Sequence, residues 1–488
     1  MATKIAIFAA GLNPMGNHQL ACLEAVANQF DHVILFPSGP HRTDGIKANI
    51  DFVPSRHRAT MIYLAHLELS DAAMDKTDLD LSDLERPAFT PTFKIEELIR
   101  QRYPDYFVGE DTECWHVIGA DWFGRDSQGR LKIHTWQHGA ELWQNLNFAI
   151  LTRPGYSIAE ADLPPHRQII PVSITGSSSD IRRLVPELQP IDQLVPASVA
   201  DYIHRFGLYS GRPIPAVTKF RTDRPRILLL FDPEKPNASN IARSLFDSLG
   251  SLVVNGSDEP YNLIVGVGGD GFQLGLVNAY WERRVPFLGI NDGRRGFLMN
   301  NVEPALLTPE FFRREFDLYE APLLEVTVTN RLGDTATVLA LNDTVMKSIS
   351  SQQGWFELSV NGQQLTQSLP ADAVLVTTPT GSTAYWRNIG GPAFTVESRH
   401  LGIGAVAPDR DYNVHPIMVS DGSVVTIKNV GDPAKRPTIV CADSKVFQDA
   451  VSMTARMSPI AHCQILSLPG QREQKVMRLQ APAGYIPV

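Results

Sequence analysis

The period of the apolar positions changes along the chain, and the change predicts two kinds of structure. Up to about Asn300, short apolar runs alternate with segments whose apolar residues recur at helical spacing. Two such runs are Ile5-Ala6-Ile7-Phe8 and Ile227-Leu228-Leu229-Leu230-Phe231. Buried strands that alternate with amphipathic helices predict parallel, doubly wound sheets, in which ligands bind beyond the carboxyl ends of the strands.

Beyond Leu324 the apolar positions alternate with a period of two. Val326 and Val328 alternate with threonines, and a second alternating run leads into Asn361-Gly362, a strong signal for a hairpin turn. The last third of the chain is therefore predicted to be antiparallel β-structure.

The length of the chain and its local composition predict several domains. At 488 residues it exceeds what one hydrophobic core usually supports. A stretch rich in proline and polar residues, from about Leu184 to Pro225, separates the two α/β regions. We predict an N-terminal α/β domain with a doubly wound parallel sheet (1–190), a linker (191–224), an α/β subdomain (225–305) and a β-rich subdomain (306–488).

Charge and cysteine usage exclude several classes of protein. The formal net charge of -9 argues against a general nucleic-acid or membrane-surface binder. Four cysteines without a CxxC pair fit reduced thiols better than disulfides or a zinc site, so no metal-ligating residues are predicted. His134 and His138 lack further ligand spacing and are interpreted as surface histidines. No signal peptide or membrane-spanning run is apparent, and we expect a cytoplasmic protein.

A glycine turn carries the strongest chemical signal. The apolar run Leu263–Val267 leads into Gly268-Gly269-Asp270-Gly271, and a helix is predicted to begin near Phe272. Backbone amides at such a turn can approach a phosphate, and the helix dipole favours an anion. A carboxylate there can hold a metal ion or take a proton from an attacking hydroxyl. Asp270 could instead only cap the helix.

Three further motifs follow the glycine turn in order. They are Phe287–Leu298, which contains Asn291-Asp292-Gly293, then Leu341-Asn342-Asp343, and finally Thr378–Tyr385, which leads to Gly390-Gly391-Pro392. Over roughly residues 225 to 470 this set resembles the NAD kinases. The resemblance implies an α/β part followed by a β part, Mg²⁺ as cofactor, ATP as co-substrate, and assembly into a homo-oligomer.

The resemblance also implies roles for individual residues in ATP-dependent phosphorylation of the adenosine ribose 2′-hydroxyl of NAD. Asp270 would help to activate the hydroxyl and organise Mg²⁺, while Gly269 and Gly271 would let the backbone meet phosphate. The residues expected to contact the dinucleotide are Asn342, Asp343, Asp372, Thr383, Ala384 and Tyr385, with Asp372 near the nicotinamide amide.

The chain departs from the NAD kinase pattern at three positions. Phe272 replaces a threonine, Asp343 replaces a glutamate, and Asp443-Ser444 replaces an Asp-Gly pair. Asn342 and Asp343 could also be ordinary turn residues, and Tyr385 a core aromatic.

The N-terminal region has its own pair of motifs. The run from Gly11 to His18 follows the first strand, and Ser177-Ser178-Ser179-Asp180-Ile181-Arg182 precedes another helix. Hydroxyls, helix amides and an arginine that converge on one point make a phosphate clamp. Over roughly residues 3 to 190 the chain resembles the nicotinate or nicotinamide mononucleotide adenylyltransferases. Further similarities are Pro40-His41-Arg42, Ile118-Gly119-Ala120-Asp121, Trp136 and Arg153-Pro154-Gly155-Tyr156.

This second resemblance implies a nucleotidyltransferase fold and adenylyl transfer from ATP to a pyridine mononucleotide. His18 and Arg182 would stabilise the triphosphate, and Trp136 would pack near the pyridine ring. The other residues expected at the phosphates are Gly11, Asn13, Ser177, Ser178 and Ser179. The chain departs from the family at Met15 and Asn17, where a histidine and a glycine are usual. The serines could merely cap a helix, and Trp136 could be ordinary packing.

These observations leave three hypotheses for the chain. The first is a fused enzyme that makes a dinucleotide and phosphorylates it, with ATP, NAD and a pyridine mononucleotide as its small-molecule partners. The second is an NAD kinase with a non-catalytic, nucleotide-sensing N-terminal domain. The third is a lipid or sugar kinase, because such kinases can share the glycine turn. The choice between nicotinamide and nicotinate mononucleotide, and between ATP and polyphosphate as phosphoryl donor, stays open.

Overall fold

The computed structural model describes residues 2–39, 53–108, 111–152, 158–173, 176–293, 296–395, 397–412 and 414–480. The chain divides into two units, Met1–Ile214 and Pro215–Val488.

The first unit is built on a six-stranded parallel sheet. Its strands are β1 (Thr3–Ala10), β2 (His32–Pro37), β3 (Thr77–Leu79), β4 (Thr112–Gly119), β5 (Asn147–Thr152) and β6 (Arg167–Pro171). Its helices are α1 (Asn17–Ala27), α2 (Ser55–His66), α3 (Asp71–Met74), α4 (Thr92–Arg102), α5 (Gly139–Asn145), α6 (Ser178–Leu184) and α7 (Ala197–Phe206).

The strand order of this sheet is β3-β2-β1-β4-β5-β6, and every neighbouring pair is parallel. The predicted α/β fold with a parallel sheet is therefore confirmed. The order reverses between β1 and β4, and in doubly wound sheets the crevice beyond the carboxyl ends of such a pair is where ligands bind. A site in this unit is therefore expected next to Ala10 and Gly119.

The second unit begins with a short strand that pairs antiparallel with a later one, has three parallel strands next, and continues into antiparallel sheets. Its strands are β7 (Val217–Phe220), β8 (Ile227–Phe231), β9 (Leu263–Gly268), β10 (Pro286–Asn291), β11 (Phe316–Asn330), β12 (Thr335–Ala340), β13 (Asp343–Ser348), β14 (Gly354–Val360), β15 (Gln363–Ala371), β16 (Ala373–Thr377), β17 (His400–Val406), β18 (Ile417–Ser420), β19 (Val425–Asn429), β20 (Thr438–Ala442), β21 (Lys445–Phe447) and β22 (Ala450–Ser467). Its helices are α8 (Pro236–Leu249), α9 (Asp270–Tyr280), α10 (Tyr385–Asn388) and α11 (Gln471–Gln480).

The long strand β22 joins the α/β part to the β part. It pairs in parallel with β10 and antiparallel with β11 and β19, within the sheet ordered β15-β14-β19-β22-β10-β9-β8. A separate antiparallel sheet has the order β18-β17-β16-β13-β20-β21. Apolar side chains from both sheets, such as Val326, Phe356 and Val440, form one buried cluster.

The alternation of apolar residues located the antiparallel strands. β14 and β15 form the predicted hairpin, and both turn residues, Asn361 (φ 52°) and Gly362 (φ 78°), adopt left-handed backbone. Such φ values favour asparagine and glycine, which explains the Asn-Gly signal.

The predicted domain limits can be compared with the positions of these elements. The predicted linker, 191–224, contains α7 of the first unit and β7, which pairs with β11 of the second. The predicted break at residue 305 separates β10 from β22, which lie side by side in one sheet. The exact domain boundaries stay predictions.

Among the residues that the structure describes, we find no helix with the length and apolar character needed to cross a bilayer.

Candidate functional site

The glycine turn of the second unit lies at the carboxyl end of β9. Gly269 precedes the first turn of α9, which begins at Asp270, two residues before the predicted start at Phe272. A Cβ on Gly268 would lie 3.1 Å from the Cβ of Phe272 and 3.2 Å from that of Asp232, so a side chain there would be crowded. A Cβ on Gly271 would meet none of the described atoms within 4 Å. The first turn of α9 therefore has open space beside Gly271, and the amides of a helix N-terminus can bind an anion.

The carboxylate of Asp270 is held by a loop that follows β10. Its two oxygens accept hydrogen bonds from the backbone amides of Phe297 (2.7 Å) and Leu298 (2.9 Å). Lys475 of α11 in turn donates from Nζ to the carbonyls of Gly296 (2.9 Å) and Met299 (2.5 Å). Burial lowers the pKa of Lys475 to about 8, although the charge of Asp270 acts in the opposite direction. Helix α11 thus holds the loop in place, and the loop in turn positions the carboxylate of Asp270, which is predicted to be catalytic.

Lys235 provides a positive charge at the glycine turn, and the sequence analysis missed it. Its Nζ lies 3.3 Å from Oδ1 of Asp292 and 3.8 Å from Oδ2 of Asp232. A Cβ on Gly269 would come within 2.8 Å of the same Nζ. The position of Lys235 along the sequence could have indicated it. Lys235 follows β8 and Asp270 follows β9, and the carboxyl ends of neighbouring parallel strands lie together.

Asn342 and Asp343 lie at the junction between β12 and β13, not in a strand interior. The carboxylate of Asp443 accepts hydrogen bonds from the backbone amides of Leu341 (2.7 Å), Asn342 (3.0 Å) and Asp343 (3.3 Å). Within the described part of the chain, the buried Oδ1 of Asn342 has no hydrogen-bond partner. A buried acceptor of this kind is normally satisfied, so a ligand donor would suit it.

The side chain of Asp343 sits in a poorly solvated position beside a second acid. Burial, reinforced by the nearby Asp443, raises the pKa of Asp343 to about 7. Burial also raises the pKa of Asp443, against the three backbone amides that lower it. The two carboxyls therefore resist simultaneous ionisation.

Replacing Asp343 by asparagine should change how stability depends on pH. A raised pKa means that the folded state keeps a proton that the unfolded state loses near pH 4, so the wild type loses stability between about pH 4 and 7. We expect Asp343→Asn to be more stable than wild type at pH 8, with a smaller difference at pH 4.5, in urea unfolding. The exposed Asp334→Asn serves as control. A difference independent of pH would contradict this assignment.

The loop Thr378–Tyr385, which carries three of the residues predicted to contact the dinucleotide, packs directly on the Asn342 junction. Thr378 donates from Oγ1 to the carbonyl of Leu341 (2.6 Å), and its own backbone amide bonds the carbonyl of Asn342 (2.9 Å). Gly381 approaches so closely that a Cβ would lie 2.2 Å from the carbonyl oxygen of Asn342. Thr383, Ala384 and the 38% exposed Tyr385 continue this loop, so the structure brings both predicted segments together.

Asp372 is not brought to this junction. It precedes β16, whereas Thr378 follows the same five-residue strand, so the two lie about 20 Å apart along the sheet. The role near the nicotinamide amide stays a prediction.

In the first unit, the two predicted phosphate motifs meet. Ser178 donates from Oγ to the carbonyl of Pro14 (2.8 Å), and Arg182 donates to the carbonyl of Asn13 (2.6 Å) and to Oγ of Ser179 (3.1 Å). Ser177 caps α6 by accepting from the amide of Asp180 (3.1 Å). Arg182 thus uses part of its hydrogen-bonding capacity to hold the loop between β1 and α1.

His18 lies in the first turn of α1 but is only 5% exposed. A Cβ on Gly16 would lie 2.9 Å from its Nδ1, and one on Gly176 would lie 3.4 Å from the same atom. The amide of Asn17 bonds the carbonyl of Leu194 (2.8 Å). The histidine is thus placed between the two motifs, yet largely shielded from solvent.

A cavity of about 620 Å³ opens at the expected crevice between β1 and β4. Gly11 and Ser38 line one side, and Gly119 lines another. Trp136 also lines it and packs edge-on against Trp122, with ring centroids 4.8 Å apart. The cavity is large enough for a nucleotide-sized ligand.

Two residues that the sequence analysis missed shape this crevice. Arg58 is buried and donates to the carbonyls of Gly11 (2.5 Å) and Ser38 (2.8 Å), and burial lowers its pKa. Gln19 accepts from the amide of Gly16 (2.8 Å) and contacts Ser178. The predicted motifs Pro40-His41-Arg42 and Arg153–Tyr156 lie outside the described residues.

Comparison with known proteins identifies the second unit. Residues 341–453 match the ATP-NAD kinase C-terminal domain. This segment contains the Asn342 junction, the Thr378–Tyr385 loop and Asp443. This match places the second unit in the class of kinases.

Curated relatives extend the match beyond that segment. The chain is 31% identical over 219 residues to an NAD kinase of Cereibacter sphaeroides, covering 45% of this chain and 85% of that protein. It is 33% identical over 240 residues to an NAD kinase of Xanthomonas oryzae, covering 49% and 90%. The crystal structure of yeast NADH kinase complexed with NADH is similar at a TM-score of 0.47 and 16% identity, covering 55% of this chain and 91% of that one. The chain belongs to the NAD kinase family, and this membership supports NAD kinase function.

Proposed function

We propose that the chain is bifunctional. Its second unit would transfer the γ-phosphoryl group of ATP to the adenosine ribose 2′-hydroxyl of NAD, and its first unit would transfer the adenylyl group of ATP to a pyridine mononucleotide. Together the two reactions would convert a mononucleotide into NADP.

The kinase part of the proposal is supported mainly by α9, because this helix contacts both candidate sites of the second unit. The N-terminus of α9 presents the glycine turn with Asp270, and its Leu276 and Val277 pack in one cluster with Leu341, next to Asn342. One helix therefore holds a phosphate-binding turn and a dinucleotide-binding junction in a fixed relation. Phosphoryl transfer depends mainly on such positioning and on neutralisation of charge.

The proposed reaction uses Asp270 as the proton acceptor. The 2′-hydroxyl oxygen bonds to the γ-phosphorus, the bond to the β–γ bridging oxygen breaks, and ADP leaves. The hydroxyl proton passes to the carboxylate of Asp270, which the amides of Phe297 and Leu298 hold in place. Lys235 would neutralise charge on the phosphates.

Magnesium fits the groups present at this turn. Carboxylate oxygens are ligands that Mg²⁺ prefers, and Asp270 supplies them. Asp292, whose backbone amide bonds the carbonyl of Gly268 (3.0 Å), brings a second carboxylate to the same turn. Each oxygen of Asp270 accepts one backbone amide and retains capacity for another contact. When bound, the ion would supply charge neutralisation on ATP.

Replacing Lys235 by methionine tests the phosphate-binding role. We expect kcat/KM for ATP in NADP formation to fall about 10- to 100-fold, because a charge-assisted contact to phosphate is lost. The exposed Lys435→Met is the matched control, since it removes an equal charge elsewhere on the same unit. Equal values for both variants would contradict the role.

The adenylyl-transfer part rests on the cavity at the strand-order reversal. The cavity is lined by the first-turn Gly11 and by Trp136, as a site for a phosphate and a pyridine ring requires. In the proposed reaction a phosphate oxygen of the mononucleotide bonds to the α-phosphorus of ATP and pyrophosphate leaves, so no protein nucleophile is needed. Arg182 and His18 would stabilise the triphosphate, with Asn13 and Ser177–Ser179 around it.

Replacing Arg182 by alanine tests this assignment in the full chain. We expect pyrophosphate release from mononucleotide and ATP to fall at least about 100-fold. The arginine would contact phosphate, and its bond to the carbonyl of Asn13 holds the loop that follows β1. Arg183→Ala is the matched control, because the neighbouring arginine pairs on the surface with Glu187. Kinase activity on NAD should persist in both variants.

The shielding of His18 and the amide bond between Asn17 and Leu194 favour one alternative. In it the first unit binds a nucleotide without turnover and regulates the kinase. Pyrophosphate release by wild type but not by Arg182→Ala would rule it out. The alternative would be established if neither nicotinamide nor nicotinate mononucleotide gives pyrophosphate release while the kinase activity depends on the nucleotide bound by the first unit.

A further inference from the structure

A buried cluster in the first unit has no part in the proposed chemistry. Cys114 and His116 alternate along β4 and therefore point to the same face of the sheet. Glu96 of α4 lies over them, and one ligand atom from each of the three side chains lies within 4.8 Å of the other two. Cys114 is 6% exposed and His116 is 4% exposed.

The contacts inside the cluster leave one ring nitrogen of His116 without a hydrogen bond. Nε2 of His116 is buried and lacks a hydrogen-bond partner in the described part of the chain. It lies 3.6 Å from Oε2 of Glu96, which is longer than a normal hydrogen bond. Two nitrogen or oxygen ligands of one tetrahedral zinc ion lie about 3.4 Å apart, so this distance suits a shared metal.

The second oxygen of Glu96 is oriented by a neighbouring arginine. Oε1 accepts from Arg100 at 3.0 Å (Nε) and 2.7 Å (Nη2), which leaves Oε2 facing His116. Such outer partners orient metal ligands and fix which oxygen binds. Glu96 also lines an open surface depression together with Phe93 and Gln101, so one member of the cluster is accessible from solvent.

We propose that Glu96, Cys114 and His116 bind one zinc ion. A thiolate, an imidazole and a carboxylate are the ligand types that zinc prefers. Three atoms within 4.8 Å of one another share a point no more than about 2.8 Å from each, so movements well under 1 Å reach zinc bond lengths. On binding, the Sγ–H bond of Cys114 breaks and its proton passes to solvent, and the thiolate and carboxylate balance the charge of the ion.

The ion would join α4 to β4 next to the crevice. Ile95, beside Glu96, and Val117, beside His116, both line the 620 Å³ cavity. The metal would therefore stabilise the wall of that cavity, whether or not the first unit catalyses adenylyl transfer.

The test uses the purified full-length protein, freed of metal and titrated with Zn²⁺ and Co²⁺. We expect one equivalent of Zn²⁺ per chain by elemental analysis and a thiolate-to-cobalt charge-transfer absorption in the Co²⁺ form. The absorption should vanish in Cys114→Ser and persist in Cys441→Ser, which removes a cysteine of the second unit. Glu96→Gln, at a partly exposed helical position, should fold and bind Zn²⁺ at least about tenfold more weakly.

Two results would overturn the proposal. One is the absence of both bound Zn²⁺ and the charge-transfer absorption in the wild type. The other is a charge-transfer absorption that persists in Cys114→Ser. If Cys114→Ser does not fold, an affinity for Zn²⁺ that is unchanged in Glu96→Gln takes the place of this second result.

Discussion

Asp270→Asn should lower kcat for NADP formation by about 10²- to 10⁴-fold while KM for NAD changes little. The asparagine cannot accept the proton of the 2′-hydroxyl, and loss of a general base typically costs this much. The substitution keeps the size of the side chain but only one of its two acceptors, so one of the bonds from the amides of Phe297 and Leu298 is lost. Lys475 still holds the loop through the carbonyls of Gly296 and Met299, so the loop should stay in place. Steady-state kinetics with NAD and ATP give the measurement.

The control for Asp270→Asn is another buried carboxylate that accepts a backbone amide. Asp83 of the first unit is 0% exposed and accepts from the amide of Gly39 at 2.6 Å. We expect Asp83→Asn to keep kcat for NADP formation within about threefold of wild type. A kcat for Asp270→Asn within tenfold of wild type would show that the aspartate is not the base.

Gly381→Ala should destabilise the second unit by about 3 kcal/mol and raise KM for NAD. The new Cβ would lie 2.2 Å from the carbonyl oxygen of Asn342, and overpacking against backbone has no flexible side chain to relieve it. Because Asn342 is the predicted contact for the dinucleotide, the displacement should reach the site. Urea unfolding and the dependence of NADP formation on NAD concentration give the two readings.

Gly275→Ala is the matched control for this substitution. Gly275 lies within α9, and a Cβ there would meet none of the described atoms within 4 Å. Alanine in an exposed helical position should stabilise the protein by about 0.5–1 kcal/mol. If Gly381→Ala unfolds no more easily than Gly275→Ala, the close approach to Asn342 does not constrain the loop.

Much of the fold could be predicted from residue periodicity, because each element buries one patterned face. Alternation located the strands around Asn361-Gly362, and apolar runs located β1, β8 and β9. The long-range pairing of β22 with β10 could not be predicted, since a strand of 18 residues that serves two subdomains has no local signature. For the same reason the predicted cut at residue 305 separates neighbouring strands.

The candidate sites were predictable where motifs carry their own chemistry. The glycine turn was predicted from its own chemistry, whereas Asn342 and the Thr378–Tyr385 loop were predicted from the resemblance to NAD kinases. In the structure the last two lie together. Lys235 and Lys475 were missed because their relation to Asp270 depends on tertiary contacts. The Glu96–Cys114–His116 cluster was missed because its third member comes from a helix, so cysteine spacing did not reveal it.

A time course of the purified chain with nicotinamide mononucleotide, ATP and Mg²⁺ tests bifunctionality most directly. A parallel incubation contains nicotinate mononucleotide, and a third contains NAD. If both units are active, we expect transient NAD followed by NADP in the first incubation and NADP in the third. If a dinucleotide forms only in the second incubation, that product is the deamido dinucleotide. This result would exclude a self-contained route from mononucleotide to NADP. No dinucleotide from either mononucleotide, with NADP from NAD, would contradict adenylyl transfer and leave a kinase.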